Sequence, residues 1–227
     1  MNINFEAKKV FITGGSRGIG KTIKQLYKTS GAMVYAPTHK ELDLSDINSV
    51  NGYLTANRYI EPDIFVHCAG INELADIHEI DQSILTRVFQ VNLFSAVSLI
   101  NQFATGMKAR GEGKIVFISS LYAIIARERR IAYSASKNAL TGLMKTLALE
   151  LAPYNIMVNG VAPGYVMTEM TQKNLSAAEI EHIKKAIPTG RFQSETDIAN
   201  MVLFLTSEMN CSITGQLIAV DGGFTCR

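Results

Sequence analysis

The sequence predicts an α/β fold, a single doubly wound unit in which helices cover both faces of a parallel sheet of six to seven strands. Three observations carry this. Short β-rich apolar runs recur along the chain, and each is followed by a longer segment with helix-spaced apolar residues. The runs are almost continuously apolar and end in polar turns, as strands buried on both faces must be. The 227 residues, 47% of them hydrophobic, contain no internal repeat, low-complexity tract or linker, so residues 1–227 read as one domain with one sizeable core.

Taken in order, the strands are "KVFIT" (9–13), "AMVYA" (32–36), "DIFVH" (63–67), "KIVFIS" (114–119), "IMVNGV" (156–161) and "QLIAV" (216–220). Helices are predicted over 18–29, 45–57, 79–109, 133–152 and 195–206, and Ser176 with Glu179 makes a capping box that opens one more. One connection is too short. Only "PTHKEL" separates the second strand from "DLSD", whereas a parallel crossover needs roughly 10–12 residues or more. A strand near Leu42 therefore either lacks a preceding helix or is lost, which leaves about six strands and a short sheet edge.

Composition excludes several classes. A formal net charge of +2 gives no general electrostatic case for nucleic acid or a membrane surface. No apolar run reads as long enough to span a bilayer, and "MNINFEAKKVFITGG" has no signal-peptide core. Cys68, Cys211 and Cys226 lack metal-ligand spacing and read as thiols in a reducing compartment. The expectation is a cytoplasmic protein without a metal site.

"TGGSRGIG" (13–20) follows the first strand and opens a helix. Gly14 permits a tight turn, Gly18 lets the backbone approach a pyrophosphate, and Gly20 lets helix and strand pack closely. The helix N-terminus behind them offers N–H groups to an anion. Ser16, Arg17 and Ile19 complete the candidate cofactor loop; a purely structural turn is the competing reading. At the end of the second strand, where NAD enzymes place an acid, stand Thr38, His39 and Lys40. With Arg17 they suit a 2′-phosphate and point to NADP(H), with NAD(H) kept open; plain solvated surface is the alternative for Lys40.

"KIVFISSLYA" ends a buried strand at Ser120, and "YSASK" sets Tyr133 and Lys137 one helical turn apart. Asn92 lies in the long helix after the third of these strands. Hydride transfer to a carbonyl leaves an alkoxide that needs a proton. A phenol with its usual pKa of about 10 becomes a usable acid–base group if a nearby ammonium favours the phenolate. Singly, each of these residues is ordinary surface or core; in this chain order, behind a dinucleotide loop, they point to chemistry.

With "CAG" (68–70), "PGYVMTEM" (163–170) and "GQLIAVDGG" (215–223), this ordered set resembles the short-chain dehydrogenase/reductase family over nearly the whole chain. The resemblance implies a Rossmann fold. It implies Tyr133 as acid/base, Lys137 as pKa-lowering cation and ribose ligand, Ser120 as substrate polariser, and Asn92 as holder of a proton-relaying water. It also implies Asp43 and Leu44 beside the adenine, and Ala69 and Gly70 behind the ribose. Pro163, Gly164, Val166 and Thr168 would stand around the nicotinamide, and residues 165–191 would form a flap over the substrate. His67 and Cys68 stand where the family often has two asparagines, and Ala123 replaces a frequent glycine.

Tyr122, Tyr165, Met167 and Met170 are candidate substrate contacts, with Tyr122, Ile124 and Ile125 as an apolar wall; ordinary core filling is the equal alternative for the methionines. Arg127, Arg129 and Arg130 either attract a phosphate-bearing substrate or make salt bridges between subunits. The substrate reads as a small carbonyl or alcohol. A 3-oxoacyl thioester is one candidate; a sugar, nucleotide sugar or secondary metabolite is the other. A non-catalytic dinucleotide-binding sensor or scaffold is the reading of a different class. The helix from Ser134 to Ala152 carries more apolar surface than one sheet face needs, and the resemblance implies a homotetramer or homodimer built on it and the preceding helix.

Overall fold

The computed structural model describes residues 3–168, 171 and 176–226. Six parallel strands form one sheet in the order β2-β1-β3-β4-β5-β6. They are β1 (Lys9–Thr13), β2 (Met33–Tyr35), β3 (Ile64–His67), β4 (Gly113–Ile118), β5 (Ile156–Pro163) and β6 (Leu217–Val220). Among the described residues the helices are α1 (Gly18–Thr29), α2 (Ile47–Ala56), α3 (Gln82–Phe89), α4 (Ser95–Arg110), α5 (Ile131–Leu151), α6 (Ala177–Ala186) and α7 (Glu195–Thr206). The strand order reverses at β1, so the crevice beyond the carboxyl ends of β1 and β3 is where an open α/β sheet binds ligands.

The two-residue period of the strands divides the core between the faces. Phe11, Phe65, Ile115, Phe117 and Val158 point to one side, where α2, α4 and α5 bring Val50, Leu99 and Leu140. Val10, Ile12, Val66, Val116, Ile118 and Val161 point to the other, against Ile23 of α1 and Ile198 of α7. Phe11 packs at 4.8 Å from the Phe103 ring and 6.1 Å from Phe65, which joins α4 to the centre of the sheet.

The short second connection costs the sheet a strand. Leu42 is buried in the core yet lies in a turn, its amide donating to the Thr38 carbonyl at 2.9 Å. The resulting edge strand, β2, has three residues. The helix expected over 79–109 is continuous from Gln82 to Arg110, but a π-helical turn (Gln90–Phe94) interrupts its regular winding. At 29 residues it is long and apolar enough to cross a bilayer by length and composition, contrary to the expectation that no run is. Its apolar stripe, with Leu99, Ile100, Phe103 and Met107, is buried against the sheet. The capping box at the head of α6 is present, with Ser176 and Glu179 bonded reciprocally.

Candidate functional site

The glycine loop turns sharply because Gly14 takes φ +71°, and a side chain there would press within 2.8 Å of the Ala69 backbone. A Cβ on Gly20 would stand 2.2 Å from the Gly14 carbonyl oxygen, so only glycine lets α1 start this close to the turn. Arg17 occupies the N-cap of α1 without a side-chain cap bond, and the first turn carries no acid. The leading amides of α1 thus face the crevice with no side-chain acceptor among the described residues, which fits a dinucleotide pyrophosphate. Ser16 and Arg17 are exposed, and Gly18 and Ile19 half-buried, along the same rim.

Across the crevice, Thr13 ties β1 to β3. Its Oγ1 accepts from the amides of Cys68 and Ala69, both at 3.2 Å, and lies 3.0 Å from His67 Nδ1. With both acceptor positions used, the Thr13 hydroxyl proton goes to Nδ1, which places the imidazole hydrogen on Nε2. Burial, followed by the charge of Lys137, pushes the His67 pKa down to about 3, so the ring is neutral. Thr13 and His67 therefore bridge β1 and β3. Burial pushes the Cys68 thiol up to about 12 and denies it nucleophilic character.

The π-helical turn presents Asn92 to the next segment. Its Oδ1 accepts from the Ile71 amide at 2.8 Å, and its Nδ2 donates to the Ile71 carbonyl at 3.0 Å and Ser136 Oγ at 2.9 Å. The Asn92 side chain thus clamps Ile71 to α5. Gly70 sits between Asn92 and Lys137: a Cβ there would meet Lys137 Nζ at 3.2 Å and Asn92 Oδ1 at 3.4 Å.

Ser120 follows β4 and caps the short turn Leu121–Ala123, its Oγ accepting from the Tyr122 amide at 3.2 Å. Tyr133 and Lys137 project from the first turns of α5 beside it, and Lys137 Nζ lies 5.7 Å from the Tyr133 ring centroid. Lys137 is 2% exposed and donates to the Ile118 carbonyl at 2.8 Å; burial lowers its pKa to about 8. The expected electrostatics differ at Tyr133. Burial raises the phenol above its ordinary value, and the groups opposing it are the Ser120 hydroxyl and the Arg130 charge.

The remaining candidates divide. Pro163 ends β5, the Gly164 amide donates to Val220 O at 3.0 Å, Val166 is buried in a bridge to Gln193, and Thr168 Oγ1 lies 3.0 Å from Thr171 Oγ1. Leu44 is buried in the core, so only its backbone is free for a ligand, and Asp43 Oδ1 accepts from both the amide and the hydroxyl of Ser45. At the end of β2 the expectation of free groups is corrected for Thr38 and His39, while exposed Lys40 has no carboxylate partner among the described residues. Thr38 donates its amide and hydroxyl to Glu41 Oε2 at 2.7 and 2.8 Å, and His39 faces Asp43 at 3.5 Å. The spacing Thr38-x-x-Glu41 is a capping-box signal that could have revealed this. Arg129 pairs within the chain, with Asp76 at 3.3 Å and Glu79 at 3.5 Å. Met170 lies outside the described residues. Sequence reasoning missed Asp221 and Gln193. A side chain on Gly164 would collide with both, and Asp221 accepts from Gly223 and Thr225 to fold the chain end back on β5.

An uncapped helix facing a sheet crevice, with a phenol, a hydroxyl and a buried ammonium beside it, defines a dinucleotide-dependent oxidoreductase. Residues 8–225 match the family model adh_short_C2, described as enoyl-(acyl carrier protein) reductase. The chain is 30% identical to an NAD-dependent glycerol dehydrogenase of Listeria innocua, over 100% of this chain and 97% of the relative. It is 34% identical to a 3-oxoacyl-[acyl-carrier-protein] reductase of Aquifex aeolicus, over 98% and 99%. The crystal structure of a gluconate 5-dehydrogenase from Burkholderia cenocepacia J2315, in complex with NADP and tartrate, superposes with a TM-score of 0.89 at 26% identity, over 100% of this chain and 98% of that one. The chain belongs to the short-chain dehydrogenase/reductase family: it is an enzyme acting on alcohol or ketone groups with a nicotinamide dinucleotide.

Burial of the Lys137 ammonium makes stability depend on pH. Below about pH 8 both folded and unfolded chains hold its proton, and the folded state bears the full cost of the buried charge. Between about 8 and 10.5 the folded chain releases a proton that the unfolded chain keeps, so this contribution rises with pH. Lys137→Met should therefore be more stable than wild type at about pH 7, by on the order of 3 kcal/mol, and lose that advantage by about pH 10. Urea unfolding of both proteins at the two pH values measures it, and a constant difference would refute the assignment.

Proposed function

We propose that the protein interconverts a ketone and a secondary alcohol with NADP(H), using Tyr133 as the acid/base group. The observation that carries this is the Tyr133 phenol beside the Ser120 hydroxyl, at the carboxyl end of β4 and facing the glycine-loop crevice. The nicotinamide, bound there, supplies or accepts the hydride. Ser120 holds the substrate oxygen, and Tyr133 donates a proton to it in reduction and removes one in oxidation. Raising the phenol pKa keeps the proton on Tyr133 at neutral pH and suits it to reduction. Lys137 holds the ribose and restores the Tyr133 proton, and Asn92 keeps the Gly70–Ile71 wall of the crevice in place. Ser16, Gly18, Ile19, Ala69, Gly70, Pro163, Gly164, Val166 and Thr168 line the cofactor's path.

For the 2′-phosphate, the supporting group is Arg17, which has no carboxylate partner among the described residues. NAD(H) is the second reading, favoured by Glu41. This exposed carboxylate stands on the Thr38 amide near the place where a ribose 2′-hydroxyl would be bound.

Among substrates, a polar sugar- or polyol-like alcohol is favoured over an acyl thioester. The pocket wall beside Tyr133 is built from the Tyr122 and Tyr165 hydroxyls with Arg127, while Ile124, expected in an apolar wall, is 46% exposed. The glycerol and gluconate 5-dehydrogenases among its relatives support the same class. Assembly as a homodimer or homotetramer is supported by the α4–α5 face, where Val97, Ile100, Leu143 and Leu147 line an open groove of about 280 Å³.

Tyr133→Phe should lower turnover by about 10²- to 10⁴-fold and leave dinucleotide binding intact. In wild type, the rate of alcohol oxidation should rise by roughly tenfold per pH unit above neutrality until the phenol titrates. Retained activity in Tyr133→Phe would sink the mechanism and leave the scaffold reading. Fluorescence titration should show tighter binding of NADPH than NADH, with Glu41→Gln widening the gap; the reverse order would establish the NAD(H) reading. Sedimentation velocity at micromolar concentration should show a dimer or tetramer, and a monomer would exclude assembly through α4 and α5.

A further inference from the structure

Arg127 is anchored in an unusual way. One nitrogen of its guanidinium, Nη1, donates to two phenol oxygens, Tyr122 Oη and Tyr165 Oη, both at 3.2 Å. This uses both Nη1 hydrogens and leaves Nε and Nη2, which form the planar edge that grips a carboxylate with two parallel bonds. No carboxylate lies within salt-bridge distance of that edge among the described residues. Glu179 acts on Arg127 only from a distance, being itself bonded to the amide and hydroxyl of Ser176.

The two phenols accept from Arg127 and stand 3.4 Å apart. One can donate to the other, so at least one phenol hydrogen remains free to point at an anion beside the guanidinium. Tyr122 packs edge-on to Tyr133, with ring centroids 6.4 Å apart, so one ring connects the Arg127 cluster to the proton donor. Behind Tyr122, the Arg130 guanidinium sits over the ring at 5.6 Å, and its buried Nε has no hydrogen-bond partner among the described residues. The second positive charge adds attraction for an anion without competing for the fork. Arg129, the third arginine of this loop, is satisfied elsewhere by Asp76 and Glu79.

We propose that the Nε–Nη2 edge of Arg127, held by Tyr122 and Tyr165 and backed by Arg130, binds a carboxylate of the substrate, which is therefore a short hydroxy acid or its oxo acid. The proposal rests on the reading of the pocket as one for small polar alcohols, and it names the member of that class. A carboxylate is preferred to a phosphate ester because one planar fork and one or two hydroxyls match its two oxygens, whereas a phosphate spreads its charge over three.

The test is calorimetric and needs no turnover. Enzyme saturated with the reduced cofactor it binds better is titrated with D-gluconate, L-idonate and D-erythronate, each beside the neutral alditol of the same skeleton, and with D-glucitol 6-phosphate. At least one acid should bind roughly tenfold or more tightly than its alditol. Arg127→Ala should erase that difference, and Arg127→Lys should restore part of it. Arg58→Ala, which removes a charge on a distant loop, should leave it unchanged. Equal binding of acids and alditols, a difference that survives Arg127→Ala, or tighter binding of the phosphate ester would each overturn the proposal. Because dead-end binding does not involve Tyr133 chemistry, a failure here is separate from the loss or retention of turnover in Tyr133→Phe.

Discussion

The site depends on one costly placement, the burial of the Lys137 ammonium under the carboxyl edge of the sheet. A charged amine taken out of water is tolerated only if neighbours satisfy its hydrogens or if it gives up its proton. Here the Ile118 carbonyl accepts one hydrogen, and burial brings the pKa down to about 8. The surroundings are arranged around this group. Gly70 makes room where a methyl would touch Nζ, Asn92 clamps Ile71 alongside, and His67 is held neutral so that no second cation faces the first. The same group that strains the fold is the one whose proton affinity lies nearest the working range of an acid–base relay.

The sheet explains why so many groups converge on so small a region. Parallel strands place all their carboxyl ends on one edge, and the reversal at β1 opens a crevice there. β1 delivers the glycine loop, β3 the Ala69–Gly70 wall, β4 Ser120 and β5 the Pro163–Gly164 corner. The packing of Phe11, Phe65 and Phe103 beneath the edge fixes the relative height of these strands. A site drawn from four strand ends is therefore as rigid as the core under it.

How much of this was legible in the sequence follows from the range of each signal. Strand and helix placement is local: β1, α1 and α7 fall on their predicted spans because the periodicity and the flanking glycines or caps act within a few residues. The loss of a strand at Leu42 was also legible, since loop length is a count along the chain. What could not be read is direction in space. The Tyr133–Lys137 spacing is visible, but not that the ammonium donates to the β4 carbonyl or that burial raises the phenol. Thr38 and its capping-box spacing to Glu41 are visible, but the place of that turn at the end of β2 depends on the strand that is missing. The three arginines between Arg127 and Arg130 look alike in sequence, and only tertiary contacts sort them.

That sorting has a physical cause in the backbone. Arg129 takes φ +60°, a left-handed conformation that costs a side-chain-bearing residue roughly 1 kcal/mol or more. It is held there by a short parallel bridge between Ala75 and Arg130, by the Ala75 amide donating to the Arg129 carbonyl, and by the ion pairs of its own guanidinium to Asp76 and Glu79. Spending Arg129 on this outer anchor kinks the chain just before α5, at the point where Tyr133 must leave the helix start. The kink turns Arg130 over the Tyr122 ring, while two residues upstream Arg127 reaches the same phenol. One arginine thus holds the loop while the other two converge on Tyr122, and that convergence is a consequence of how α5 is started.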